Sequence, residues 1–128
     1  MTHTRRTPLA KVRGLGSARG GTDHFWKQRL TAVSNLVLAC FLVWLLASLA
    51  GADYVTVKET LAKPQNAIPL LLLILSGTIH MRLGMQTIIE DYVHSEGRKV
   101  AALMLNSFFA ILVAATSAFA VLKLSFGA

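Results

Sequence analysis

Three long apolar runs decide what this chain can become. Leu30–Ala50 and Val100–Leu122 contain no charged residue, and Ala67–Ile89 is interrupted only by His80 and Arg82. Crossing a hydrocarbon layer of about 30 Å takes roughly 20 helical residues, and each run reaches that length. Inside lipid a backbone amide finds no water, so a spanning segment has to satisfy its own N–H and C=O groups as a helix. The pattern predicts an all-α fold, an integral membrane three-helix bundle with spans at residues 30–50, 67–89 and 100–122. Residues 1–25 are expected to form an N-terminal segment and residues 26–128 the membrane domain. Within 128 residues, 54% of them hydrophobic, no soluble domain is expected beside the spans.

A secretory leader is the competing reading for the first run. The run is longer than a leader's apolar core, 29 largely polar residues precede it, and no Ala-x-Ala-type site follows it. It is expected to be a retained helix.

The formal net charge is +7, and its placement is lopsided. Seven of the 13 Lys and Arg residues precede the first run: Arg5, Arg6, Lys11, Arg13, Arg19, Lys27 and Arg29. A nucleic-acid binder would carry such charge on a soluble fold, so no nucleic acid is expected as a partner. On a membrane protein, basic flanks stay on the cytoplasmic side. This predicts a cytoplasmic N-terminus, an outer loop at Gly51–Asn66, an inner loop at Asp91–Lys99 and an outer C-terminus. Cys40 is the sole cysteine, so neither an intrachain disulfide nor a cysteine metal site can form.

Met1–Gly21 is rich in Gly, Thr, Arg and Ser and shows no apolar period, which predicts an extended or disordered segment. Trp26 suits the headgroup level, where its ring stays dry and its N–H wet. Pro64 and Pro69 bracket the start of the second span, where a missing N–H costs least. Asp91–Gly97 reads as a polar turn that forces the second and third helices antiparallel. Ser34, Asn35 and Ser48 on the first span, and Asn106, Ser107, Thr116 and Ser117 on the third, favour close helix contacts in lipid. Some of these contacts are expected to be with another membrane subunit.

The second span carries the candidate chemistry. His80 lies about 15 Å of helix rise from the inner end of its run, where an ionisable group needs a partner. A neutral imidazole there is either a metal ligand or a hydrogen-bonded packing residue. Gly84, four residues on, shares its face, and either admits a flat macrocycle or notches the helix for packing. Asp91, eleven residues from His80, returns to the same face after three turns. Arg82 points away from that face, either snorkelling inward or pairing with a neighbour. His24 and His94 sit at the inner boundary, as part of a proton path or as solvated flanks.

His80-x3-Gly84 followed by Asp91-Tyr92 resembles the second helix of the succinate dehydrogenase hydrophobic membrane anchor. The lead Gly20-Gly21-Thr22-Asp23-His24-Phe25-Trp26-Lys27-Gln28-Arg29-Leu30-Thr31-Ala32, an Arg followed closely by Thr-Ala, resembles that family's approach to its first helix. The likeness runs from Gly14 to Ala128. Leu15-Gly16-Ser17-Ala18 and Trp26-x-x-Arg29 look like the alphaproteobacterial and mitochondrial branch.

The resemblance implies a non-catalytic subunit of a succinate:ubiquinone oxidoreductase in the bacterial inner membrane. It implies His80 as one axial ligand of haem b, the other coming from a cytochrome b556-type partner subunit. It further implies Arg29 beside a haem propionate, Gly84 where the haem approaches the backbone, and Tyr92 with Asp91 at the ubiquinone. The implied partners are that cytochrome subunit, an iron–sulfur subunit, a flavoprotein subunit and membrane lipid. Two other classes compete: a small transporter or channel subunit with His80 and Arg82 lining one polar path, and a cofactor-free assembly factor.

Overall fold

Each apolar run forms a helix; the second and third helices outgrow their runs at both ends, and the first extends its run toward the N-terminus. The computed structural model describes residues 7–14 and 20–127. Its elements are α1 (Pro8–Val12), α2 (Gly20–Ser48), α3 (Tyr54–Ala62), α4 (Pro64–Tyr92) and α5 (Glu96–Ser125). Of these, α2, α4 and α5 are long and apolar enough to cross a membrane. From Trp26 to Ser48, α2 rises about 33 Å, close to the hydrocarbon thickness.

The ends differ from expectation in three places. Residues 1–6 and 15–19, with the Leu15–Ala18 motif, lie outside the described residues. Within the rest of the N-terminal segment, Pro8–Val12 is one helical turn, and α2 already begins at Gly20. The expected polar turn at Asp91–Gly97 shrinks to Val93–Ser95, because α4 runs through Asp91 and Tyr92. No Gly or Pro interrupts that stretch. The Gln86 amide donates to Glu90 Oε1 at 2.8 Å one turn on, and the Val93 N–H closes the helix on the Ile89 carbonyl at 3.0 Å.

The outer connection, read as a loop, contains α3. Gly51, at φ +80°, adopts the left-handed conformation that lets the chain leave α2. Asp53 precedes α3 in extended conformation, and the Thr56 hydroxyl beside it holds its carboxyl below the usual range. Lys63 is extended (φ −63°, ψ 132°), as the residue before a proline must be, and so separates α3 from α4. The buried Asn66 then donates to the Thr60 carbonyl at 2.8 Å and ties α3 back to α4.

Packing is centred on α4, which contacts α2, α3 and α5, whereas α2 and α5 have no mutual contact among the described residues. The long helices form the expected all-α membrane bundle, with α4 between α2 and α5. Leu45, Ala67, Ile89 and Ala110 are the buried apolar residues among those described. Trp44, Leu36 and Phe108 each leave more than 60% of their surface exposed. Apolar surface on this scale requires lipid or another subunit around it.

Candidate functional site

Three contacts fix the antiparallel register of α2 on α4. Thr31 Oγ1 lies 3.1 Å from His80 Nδ1, the Ser76 hydroxyl donates to the Thr31 carbonyl at 3.3 Å, and Gly84 faces Gln28. Ser76, His80 and Gly84 repeat at four-residue intervals, so one stripe of α4 looks onto α2. The shared face expected for His80 and Gly84 is present.

That register revises the depth of His80. Counted along its own run, the residue sits far from the inner edge. Counted across the seam, it sits beside Thr31, two residues past Arg29 and at the start of the first apolar run. The reason is the unequal reach of the apolar runs. In this register the first run begins at Leu30, level with the turn of His80, whereas the second continues to Ile89, beside the basic lead of α2 that carries Lys27 and Arg29.

A cavity of about 390 Å³ opens there, lined by His24, Phe25, Gln28, Arg29, Ala32 and His80. It unites His80 and Arg29, which are 51 residues apart in sequence. Arg29 is exposed, with its guanidinium carbon 5.2 Å from the centre of the Phe25 ring. His24 Nε2 is buried and has no hydrogen-bond partner among the described residues. A buried polar atom is normally paired, so the cavity suits a ligand bearing polar oxygens. A Cβ on Gly84 would meet Gln28 Nε2 at 3.8 Å, an ordinary contact. The glycine thus faces the Gln28 side chain that helps line the cavity.

Tyr92 and Asp91 stand apart from this cavity, on the exposed last turn of α4 and about 18 Å of helix rise from His80. Tyr92 shares a second hollow, of about 300 Å³, with Val93, His94, Arg98 and Ala102. His94, read as part of a proton path or as a solvated flank, stands beside the tyrosine.

Arg82 turns to the other seam. Its Nε donates to Ser107 Oγ at 3.2 Å, and the Asn106 amide donates to the Arg82 carbonyl at 2.9 Å. His80 faces α2 and Arg82 faces α5, so the two do not line one polar path. Among the described residues no three His, Cys, Asp or Glu side chains cluster to hold a metal ion. A metal at His80 would therefore need its other ligands from a prosthetic group or another chain.

Comparison with known proteins places the chain in a family. The family described as succinate dehydrogenase/fumarate reductase transmembrane subunit matches residues 3–115. The succinate dehydrogenase hydrophobic membrane anchor subunit of Rickettsia bellii (strain RML369-C) is 30% identical, over 88% of this chain and 90% of that protein. Its Paracoccus denitrificans counterpart is also 30% identical, over 95% and 94%. The succinate dehydrogenase membrane anchor subunit of Reclinomonas americana is 31% identical, over 73% and 80%. No solved structure matches the chain.

Proposed function

The chain belongs to the family of succinate dehydrogenase/fumarate reductase transmembrane subunits, and we propose that it anchors a succinate:ubiquinone oxidoreductase in the bacterial inner membrane. It is a multi-pass membrane protein and a non-catalytic subunit of its complex. Succinate oxidation falls to partner chains, since one cysteine and no Gly-rich βαβ unit leave nothing here to hold flavin or iron–sulfur clusters. In this reading the basic end, with the N-terminus, faces the cytoplasm and docks the flavoprotein and iron–sulfur subunits.

The observation that carries the reading is the convergence of His80, Arg29 and the unpaired His24 Nε2 on one cavity. The donor set fits haem b, which would supply a one-electron carrier when bound. His80 would provide one axial nitrogen, and the cytochrome b556-type partner the other. Arg29 presents up to five N–H donors to a propionate. The cavity lies near the lower end of the size range of small-molecule pockets, in keeping with a site completed by a second subunit. The Tyr92 hydroxyl would donate to a ubiquinone carbonyl, with Asp91 as its acidic neighbour.

The test is His80→Ala in the assembled complex. We expect loss of haem or a changed low-spin b-type spectrum, with the flavin and cluster content retained. An unchanged spectrum and midpoint potential would refute ligation by His80.

A further inference from the structure

Thr31 has more bonding than a packing residue needs. Its hydroxyl lies 2.8 Å from the Lys27 carbonyl, 3.1 Å from the Gln28 carbonyl and 3.1 Å from His80 Nδ1. Carbonyl oxygens only accept, so a hydroxyl proton held by the backbone turn behind it leaves a lone pair facing His80. That arrangement pairs with the tautomer that carries hydrogen on Nδ1. Thr31 is itself buried, and its own carbonyl accepts from Ser76 one turn along α4 from His80. The threonine is thus held at both ends, by its side chain and by its carbonyl.

We propose that Thr31 is a positioning residue for His80. Its hydroxyl oxygen accepts the Nδ1–H, fixes the ring about its Cβ–Cγ bond, and leaves Nε2 with a free lone pair for the cavity. The inference rests on His80 being an axial ligand. An imidazole whose remote N–H is accepted by a neighbour is a stronger donor to a metal. Such a ligand favours the oxidised iron, so losing the bond raises the midpoint potential. Ligand orientation and tautomer are set in the same way at other metal sites.

The experiment is a four-member series at position 31 in the full complex: the native Thr, and Thr31→Ser, Thr31→Val and Thr31→Ala. Thr and Ser keep the hydroxyl; Val and Ala lack it. Size divides the set differently, pairing Thr with Val and Ser with Ala. Haem midpoint potential and low-spin electron paramagnetic resonance g-values are read at matched haem content. Val and Ala should raise the reduced-to-oxidised ratio at fixed potential by about tenfold, which is 59 mV for a one-electron couple. Ser should stay with the native protein. Ser76→Ala cuts the neighbouring bond of the same seam without touching His80, and should leave the potential where it was. If Val fails to assemble, Ser against Ala, equal in backbone and near in size, still decides. Values that sort by size, a Ser76→Ala shift equal to that of Thr31→Val, or no shift in any variant would overturn the positioning role. His80→Ala, measured alongside, separates that failure from failure of ligation, since it alone must change the haem spectrum if His80 is a ligand.

Discussion

Tyr92 leaves 76% of its surface exposed on the last turn of α4, beside His94 and Arg98. A phenol placed there can donate to a bound ring without leaving the helix. Tyr92→Phe keeps the ring and deletes the donor, so quinone reduction should slow about ten- to hundredfold, for roughly 1.5–3 kcal/mol. Succinate oxidation with a water-soluble acceptor should persist in the same preparation, and equal loss of both activities would indicate failed assembly instead. Arg82 tests the other seam. Arg82→Met removes the donor to Ser107, and should lower the resistance of the complex to detergent denaturation by about 0.6–1.7 kcal/mol. Spacing made His80, Gly84 and Asp91 visible as one stripe, because helical period puts residues of one chain segment on one face; Tyr92 became a candidate only through the family resemblance. The hydrogen bond between His80 and Thr31, and the turn of Arg82 to Ser107, depend on the register between helices. No spacing within one segment encodes that register.

Among the elements, the three spans were legible because 20 apolar residues in lipid have one backbone solution. Their ends were not, since polar residues such as Gln86, Glu90 and Asp91 are equally at home in water as helix or turn. The nine-residue α3 was missed for a related reason: Val55, Val57 and Leu61 between Gly51 and Pro64 make too short a pattern to outweigh its breakers. Its attachment gives a test. Asn66→Ala removes the amide that holds the Thr60 carbonyl, a loss of about 1 kcal/mol. Local opening of α3 should rise about fivefold for that loss. Trypsin added from the outer side should cut correspondingly faster after Lys58, with haem content unchanged. No acceleration would mean that packing against α4 and α5, not this bond, retains α3.

For the molecule as a whole, the basic lead of α2 and the short Val93–Ser95 turn should share one side of the membrane, with α3 on the other. In a Cys40→Ala background, a cysteine at Thr56 should react with an impermeant reagent from outside, and one at Ser95 only after permeabilisation. Labelling of Ser95 from outside would reverse the orientation. The absence of contact between α2 and α5 also orders the assembly of the chain in time. Three residues join α4 to α5, whereas 15 join α2 to α4. Closing the shorter link costs less chain entropy, so the α4–α5 hairpin can form as a unit on its own. On this count α2 would dock last, along α4, the helix it packs against among the described residues. Thr31 would meet His80, and Arg29 come to the cavity, only at that closing step. A prosthetic group captured between them, as proposed above, would report that the fold is finished.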